Sequence, residues 1–354
     1  MSKYFSEKRK GLVAYVPGEQ PQDKGYVKLN TNESPFPPSP FAVRMARQEA
    51  AGLNLYSDPE CRTLTKVAAS YFGVKEEEVI FTNGSDEVLD FAFLAFCDEN
   101  TPAVFPDVTY GFYPVFAKLH GVPYREIPLT ESFRVDPEAY RAAKGTIFIA
   151  NPNAPTGVAL TLKEVEEIVK SNREKVVVID EAYVDFGGES ALPLIKRYDN
   201  LLVTRTFSKS RSLAGGRLGM GFACESLIAD LKRVKNSVNP YNVNKMTMAA
   251  GVGALLDEEY FVDCVRKICE NREELAAALK KMSFEVLSSS SNFLFVKSEK
   301  MGGEALYRKL KERGILVRYF DKDRLRDYLR ISIGTKEDSA ALLQAIGAIT
   351  EEIK

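Results

Sequence analysis

The sequence contains a single histidine, His120, and it has no G-x-S-x-G turn of the kind that carries the nucleophile of serine hydrolases. A Ser-His-Asp triad would therefore depend on this one residue. His120 precedes a Gly-Val-Pro turn, which favours a position at a helix end or on the surface over a catalytic one. We predict acid–base chemistry that does not rely on histidine.

The sequence also has few cysteines and a net charge close to zero. The five cysteines, Cys61, Cys97, Cys224, Cys264 and Cys269, show no C-x-x-C spacing, which favours reduced thiols in a cytoplasm over disulfides or a zinc site. The formal net charge of −1 argues against a nucleic-acid partner or an anionic membrane held by bulk charge. Apolar runs of about 18 residues, which a membrane-spanning helix needs, are absent, as is the apolar core of a signal peptide.

The length and the order of apolar segments indicate the fold class. A chain of 354 residues exceeds what one core usually serves, so we expect two domains. Short apolar runs alternate with helical stretches from Val79 onward, which predicts an α/β fold. The predicted parts are an N-terminal arm (1–35) that packs with the small domain, a large domain (36–245) whose mostly parallel central sheet is flanked by helices, and a smaller α+β C-terminal domain (246–354).

Polar motifs follow several of the predicted strands of the large domain. These strands are Val79–Thr82, Ala103–Phe105, Thr146–Ala150, Val176–Ile179, Leu201–Thr206 and Gly219–Ala223, with helices such as Ser85–Phe96 and Leu162–Asn172 between them. In parallel sheets, ligands bind beyond the carboxyl ends of the strands. The motifs TNGSDE, NPNAPTG, DEAY and SKS all occupy such positions, so we expect them around one site.

The stretch LLVTRTFSKSRSLAGGRLGM places Lys209 in a hydroxyl-rich turn after a buried strand. A lysine held in such a site can lose its proton and act as a nucleophile or form a Schiff base. Arg217 follows a glycine pair and is positioned to return to the same pocket and meet an anion. The alternative is a surface loop with two ordinary cations, because short motifs of this kind often occur by chance.

The motif TNGSDE joins a strand to a helix that is apolar nearly all round, at Gly84 and Ser85. A buried helix leaves free N–H groups at its start, and a phosphate suits that position. The simpler interpretation is that Ser85 caps the helix while Asp86 and Glu87 complement its dipole.

Asp180 directly follows the apolar run VVVI, and a carboxylate at the end of a buried strand needs a partner. A metal, an arginine or a protonated ring nitrogen would serve, and Glu181 makes magnesium an option. The absence of a Walker A motif weakens a nucleotide-dependent interpretation. Capping of a following helix is the structural alternative.

Together these residues match what pyridoxal 5′-phosphate requires, namely a Schiff-base lysine, an acidic partner for the ring nitrogen and an anion-binding cradle. In the small domain, Arg318 and Arg330 stand at strand ends and suit a carboxylate or a phosphate.

The chain resembles the fold-type I pyridoxal-phosphate enzymes of the aspartate aminotransferase class and, within it, the histidinol-phosphate aminotransferase family. The resemblance rests on nine motifs in order along nearly the whole chain: YVPGEQP, LNTNESP, YSDP, NGSDEVL, NPNAPTG, DEAY, TFSKS with GGRLG, ILVRYFD and LRISIGT. It implies transfer of an amino group between histidinol phosphate and 2-oxoglutarate, in histidine biosynthesis, by a cytoplasmic homodimer.

The resemblance also implies roles for individual residues. Lys209 would bind the cofactor covalently, Asp180 would hold the ring nitrogen protonated and Tyr183 would reach the ring hydroxyl. The cofactor phosphate would be surrounded by Gly84, Ser85, Asp86, Thr206, Ser208 and Arg217. Tyr110 would stack on the ring, and Tyr56 would reach the cofactor of the partner subunit. The substrate would meet Tyr15, Asn32, Arg318 and Arg330.

One position departs from the family pattern. The class usually has asparagine immediately before Pro-Thr-Gly, where it contacts the ring hydroxyl, whereas this chain has Ala154. We expect a small loop shift to let the neighbouring Asn153 make that contact.

Other functions on the same fold compete with this interpretation. These are an aromatic or broad-range aminotransferase and a decarboxylase of the phosphothreonine type. A non-catalytic regulator that binds pyridoxal phosphate would need an appended DNA-binding segment, and the chain has neither a spare domain nor a basic patch.

Overall fold

The computed structural model describes residues 2–21 and 25–352. Met1, residues 22–24 and residues 353–354, which the predicted arm and small domain include, lie outside the described residues. The strands are β1 (Val27–Lys28), β2 (Val79–Thr82), β3 (Ala103–Pro106), β4 (Tyr124–Ile127), β5 (Thr146–Ala150), β6 (Val177–Asp180), β7 (Leu201–Thr206), β8 (Gly219–Phe222), β9 (Phe284–Val286), β10 (Phe293–Ser298), β11 (Ile315–Leu316), β12 (Arg318–Tyr319) and β13 (Tyr328–Ser332).

The α-helices lie between and after these strands. They are α1 (Pro40–Glu49), α2 (Arg62–Phe72), α3 (Ser85–Phe96), α4 (Tyr113–His120), α5 (Leu162–Ser171), α6 (Glu225–Val238), α7 (Lys245–Leu256), α8 (Glu258–Lys281), α9 (Gly303–Glu312) and α10 (Lys336–Glu351). Within the described ranges, no helix is long and apolar enough to cross a membrane.

A seven-stranded sheet forms the centre of the large domain, in the order β2-β8-β7-β6-β5-β3-β4. Strand β8 runs antiparallel to both its neighbours, and the remaining pairs are parallel. Strands β5 and β6 are buried at every residue, which explains their continuous apolar sequences. This confirms the predicted mostly parallel sheet and brings the carboxyl ends of β5, β6 and β7 to one edge.

The small domain contains a four-stranded antiparallel sheet, in the order β12-β13-β10-β9. Helices α8, α9 and α10 pack with it around an apolar core that includes Ile268, Leu310 and Leu342. The N-terminal segment joins this domain, because β1 pairs in parallel with β11 and Leu29 is buried in the same core. The arm therefore reaches the site from the small-domain side.

Helix α7 packs differently from what the boundary at residue 246 implied. Its residues Ala250, Val252 and Leu255 belong to the apolar core of the large domain, and the helix makes its main contacts with α1 and α2. The core of the small domain begins with α8. A helix rich in alanine and glycine, such as α7, gives no sequence signal of which domain it covers.

The strands and helices predicted above end within one residue of their observed bounds, while β1, β4, β9, α4 and α6 were not predicted. Strand β4 lies at the sheet edge, and its first three residues are exposed, so it lacks an apolar run. His120 is the last residue of α4, as the turn after it indicated, and its ring nitrogen lies 2.5 Å from Asp90.

Candidate active site

Two adjoining cavities open at the carboxyl edge of the central sheet. One, of about 430 Å³, lies over the ends of β6 and β7, and the other, of about 570 Å³, lies between the large domain, the arm and the small domain. We call them the inner and the outer cavity. Both are lined by Thr31, Tyr110, Ala154, Tyr183 and Lys209. The sequence-predicted motifs therefore do meet at one place.

Lys209 stands where the two cavities join. Its Nζ donates to the Thr31 carbonyl at 3.3 Å and lies 5.8 Å from the centre of the Tyr183 ring. Burial lowers the pKa of Lys209 to about 8, and the positive charge of Arg330 acts in the same direction. A much larger fraction of the amine is thus neutral near pH 7 than in a solvated lysine, as a nucleophile requires.

Asp180 ends β6 at the floor of the inner cavity and is 4% exposed. It accepts hydrogen bonds from Thr204 at 3.0 Å, from Ala182 at 3.2 Å and from Tyr113 at 3.3 Å. All three donors are neutral, and burial raises the pKa of Asp180 to about 6. A cation in this cavity would restore the charged carboxylate.

Glu181 does not take part in this site. Its carboxylate turns away and accepts from Arg205 at 3.1 Å, Ser190 at 2.8 Å and the Ala191 N–H at 2.5 Å. Across residues 2–21 and 25–352, the acidic, cysteine and histidine side chains form no group that would hold a metal ion. The magnesium option therefore finds no support in this arrangement.

The start of α3 corrects one prediction. Gly84 is the N-cap residue, without a side-chain cap, and Ser85 is the first helical residue rather than the cap. Gly84 has φ of 84°, and a Cβ added there would lie 2.5 Å from Arg217 Nη2. Glycine thus lets the guanidinium approach the helix start closely, where an anion is favoured.

Hydroxyl groups and one guanidinium complete this end of the inner cavity. The Thr206 hydroxyl lies 3.0 Å from the Ser208 hydroxyl, and Arg217 Nη1 lies 3.5 Å from the latter. Asp86 accepts from the Tyr110 hydroxyl at 2.7 Å and from Arg217 at 3.3 Å. Ser85, Asp86, Thr206, Ser208 and Arg217 all line the cavity. The hydroxyls of Ser85, Thr206 and Ser208 and the Arg217 guanidinium are donors that suit a phosphate group, whereas the Asp86 carboxylate is an acceptor already paired with Arg217.

Tyr183 forms the wall between the cavities, and its hydroxyl accepts from Asn32 Nδ2 at 3.0 Å. Burial raises the pKa of Tyr183, so the phenol keeps its proton at neutral pH. The ring packs edge-on against Phe293 at 5.0 Å. These two contacts hold the phenol ring in place, with its centre 5.8 Å from Lys209 Nζ.

Two arginines lie side by side in the outer cavity. Arg318 and Arg330 are directly opposite each other on β12 and β13, an arrangement in which like charges repel. Arg318 donates to the carbonyls of Val16 and Pro17 at 3.0 and 3.1 Å. Arg330 donates to the Asn30 carbonyl at 2.9 Å, and its Nε is buried without a hydrogen-bond partner in the described part of the chain. An anion at this position would relieve the repulsion and satisfy Nε.

Three other predicted residues lie in different settings. Tyr15 lines the outer cavity and stacks on Phe112 at 4.2 Å. Tyr56 lines neither cavity of this chain and is 82% exposed. The Asn153 amide donates to the Val108 carbonyl at 3.1 Å and to Thr156 at 3.0 Å. It lines neither cavity, so the loop shift that we expected at Ala154 is not seen.

Sequence reasoning missed several residues that shape the site. Thr31 accepts from Lys209 through its carbonyl, a contact that no side-chain pattern signals. Thr204 and Tyr113 hold Asp180, and β7 is buried at five of its six residues, so its sequence did not mark Thr204 out. Ser332 binds Asn32 from the small domain. These contacts depend on how distant segments meet, which motif spacing does not reveal.

Comparison with known proteins identifies the family. A family model described as aminotransferase class I and II matches residues 24–346. Histidinol-phosphate aminotransferases from Brachyspira hyodysenteriae and Clostridium botulinum (strain Hall) are each 45% identical to the chain. The alignments cover 98% of both chains for the former and 100% of both for the latter.

A solved structure shares the fold. It is the histidinol-phosphate aminotransferase from Sinorhizobium meliloti in complex with pyridoxal-5′-phosphate, with a TM-score of 0.90 and 23% identity over 100% of this chain and 99% of that one. The likeness confirms the fold that the sequence predicted. The chain belongs to the aminotransferase class I and II family and, within it, to the histidinol-phosphate aminotransferase family.

Proposed function

We propose that the chain uses pyridoxal 5′-phosphate to transfer the amino group between histidinol phosphate and 2-oxoglutarate, in histidine biosynthesis. The observation that carries the proposal is the pair of joined cavities with Lys209 between them. The inner one has a buried carboxylate and an anion cradle, and the outer one has two adjacent arginines. One cavity thus suits a cofactor, and the other suits a substrate that carries an anionic group.

The inner cavity fits pyridoxal phosphate in each of its charged parts. Asp180 lacks a cationic partner among the described residues and would take the protonated ring nitrogen. Ser85, Ser208 and Arg217 would hold the phosphate at the start of α3. Lys209 has the lowered pKa that binding to an aldehyde requires. Tyr183 would donate to the ring oxygen.

Each residue of the site then has its own role in the reaction. When bound, pyridoxal phosphate supplies a ring that accepts the electrons left at the substrate Cα. Asp180 holds positive charge at the ring nitrogen, so that this acceptance is favourable. Lys209 Nζ takes the proton from Cα and returns it on the cofactor side, as general base and then general acid. Arg318 and Arg330 hold the substrate phosphate and orient Cα toward Lys209.

Arg318 offers a direct test of the phosphorylated substrate. We expect Arg318→Met to lower kcat/KM for histidinol phosphate by about 10- to 150-fold, because one hydrogen-bonded charge contributes about 1.5–3 kcal/mol. We expect kcat/KM for phenylalanine to change by less than about threefold, because phenylalanine lacks the phosphate. Initial rates with 2-oxoglutarate as acceptor measure both.

Two controls separate phosphate recognition from other effects of this substitution. Arg318 also holds the arm through Val16 and Pro17, and a loosened arm would impair both substrates equally. Arg326→Met removes an exposed arginine of the same domain that pairs with Asp323, and it should change neither value. Equal losses for histidinol phosphate and phenylalanine would show that Arg318 acts by holding the arm, and would contradict its assignment to the substrate phosphate.

The proposal includes a homodimer in which Tyr56 enters the partner's site. Tyr56 stacks on Tyr241 at 4.6 Å, and both are exposed beside the exposed apolar side chains of Leu53, Leu55 and Val238. A group of this kind is typical of a protein contact surface. A second copy of the chain would cover it and would bring Tyr56 to the cofactor phosphate.

Mixing two defective variants tests the shared site. We expect Tyr56→Ala alone to be weakly active and Lys209→Ala alone to be inactive, because each substitution damages every site of its own dimer. A mixed dimer contains one site with native Lys209 and the partner's native Tyr56. Random exchange should therefore restore about a quarter of wild-type turnover. Absence of any recovery, with subunit exchange shown by a mass tag, would contradict the shared site.

The five cysteines are relevant to the cellular compartment in which the protein acts. All of them are unpaired in the structure. Burial raises the pKa of Cys61 and Cys97 to about 12 in each case, which keeps these thiols protonated. We retain the cytoplasm as the proposed location, on the number and spacing of the cysteines in the sequence.

A further inference from the structure

The Tyr183 hydroxyl is held by residues from two other parts of the chain. Asn32, from the N-terminal segment, donates its Nδ2 to the phenol oxygen at 3.0 Å. Ser332, at the end of β13, donates its hydroxyl to Asn32 Oδ1 at 2.9 Å and accepts the Asn32 N–H at 2.8 Å. Asn32 and Ser332 are 1% and 3% exposed, so water does not compete for these bonds.

The directions of these bonds determine where the phenol proton points. Because Ser332 supplies a donor to Oδ1, the Asn32 amide presents its N–H₂ group to Tyr183. The phenol oxygen accepts that bond, and its own proton remains for another acceptor. Among the described residues, Tyr183 makes no other hydrogen bond through its hydroxyl. The free direction is the cavity that Tyr183 lines.

The position where the class usually has asparagine supplies no side chain to share this task. Ala154 lines both cavities and carries no polar side-chain atom, and the Asn153 amide is committed to Val108 and Thr156. A ring oxygen in the inner cavity would therefore receive no side-chain hydrogen bond from residues 153 and 154, and the Tyr183 hydroxyl would carry more of that contact. The orientation of that single hydroxyl matters more here than where an asparagine supplies a second donor.

We propose that Asn32 and Ser332 are positioning residues, which orient the Tyr183 hydroxyl so that its proton points to the ring oxygen of the bound cofactor. This inference rests on the proposed function. Asn32 adopts a left-handed backbone conformation, with φ of 56°, which asparagine tolerates better than most residues. This backbone conformation places the Asn32 amide within hydrogen-bonding distance of the Tyr183 hydroxyl.

The same contact links the phenol to the substrate side. Arg330 and Ser332 lie two residues apart on β13 and point to the same face of the sheet. Arg330 binds the Asn30 carbonyl, and Ser332 binds Asn32, so this strand and the N-terminal segment are joined at two successive points. Movement of the small domain would therefore displace Asn32 and change its hydrogen bond to Tyr183.

The test is a pH titration of the visible absorbance of the protein loaded with pyridoxal phosphate. A hydrogen bond to the ring oxygen withdraws its negative charge, so its loss should favour the protonated link at Lys209. We expect Ser332→Ala and Asn32→Ala each to raise the pH midpoint by about 0.5–1 unit, the size of one hydrogen bond. The charged and titratable groups around Tyr183 stay unchanged: Tyr15, Asp86, Tyr110, Asp180, Lys209 and Arg330.

Double variants show whether the effect passes through Tyr183. In a Tyr183→Phe background, the Asn32 and Ser332 substitutions should shift the midpoint no further. Asn271→Ala is a matched control, because Asn271 is buried, lines neither cavity and donates to the Gly334 carbonyl instead, and it should leave the midpoint unchanged. Ser332→Ala keeps the test valid if Asn32→Ala folds poorly.

The outcomes separate the two proposals. The positioning role would be overturned if Ser332→Ala had the same pH midpoint as the wild type. It would also be overturned if the Asn32 and Ser332 substitutions shifted the midpoint fully in the Tyr183→Phe background. A wild-type protein that gains no visible band with pyridoxal phosphate would instead overturn the proposed function.

Discussion

Lys209→Ala should abolish turnover, with a loss of at least about 10⁴-fold. The side chain is expected to hold the cofactor covalently and to move the proton at Cα, so its removal ends both roles. The visible absorption band after incubation with pyridoxal phosphate should also be lost, since no amine remains at the junction of the cavities. Absorbance and a coupled glutamate assay measure the two effects.

A matched lysine distinguishes this role from a general effect on folding. Lys196 donates to the Gly73 carbonyl at 3.0 Å, as Lys209 does to Thr31, but it lines neither cavity. Lys196→Ala should retain both turnover and the band. Turnover in Lys209→Ala within tenfold of wild type would refute the assignment of the nucleophile.

Asp180→Asn should lower kcat by about 150- to 5,000-fold, while most of the protein still binds the cofactor. An amide keeps the size of the side chain but cannot hold positive charge at the ring nitrogen, and removing one partner of a buried ion pair costs about 3–5 kcal/mol. The loss should fall on kcat rather than KM, because Asp180 lies in the inner cavity, away from the substrate. Single-turnover rates isolate this step.

The neighbouring acid provides the control for charge and stability. Glu181→Gln breaks a buried ion pair with Arg205 and should lower the melting temperature, yet its side chain faces away from the cavities. We expect its kcat to stay within tenfold of wild type. Equal losses of kcat in Asp180→Asn and Glu181→Gln would show that the charge at Asp180 has no special part in the reaction.

The position of the inner cavity was predictable from the sequence, and the reason is physical. Apolar runs fix the strands, parallel strands end at one edge, and the residues after them must meet there. Asp180, Ser85, Lys209 and Arg217 follow from that argument. The same runs gave β2, β5 and β7 with their observed bounds.

Contacts between distant segments were not predictable in this way. The cap at Gly84 depends on how closely Arg217 and Gly219 approach the helix start, and the sequence favoured Ser85. The Asn153 amide is drawn to Val108 and Thr156 rather than to the cavity. In each case a competing partner elsewhere in the fold decides where the side chain points, and local spacing does not reveal it.

The most direct test of the account is an absorbance scan of the wild-type protein loaded with pyridoxal phosphate, before and after histidinol phosphate is added without a keto acid. We expect a visible band that histidinol phosphate shifts, while phenylalanine and phosphothreonine at the same concentration shift it far less. A band that responds to phenylalanine instead would contradict the proposed substrate. No band at all would contradict the assignment of the inner cavity to the cofactor.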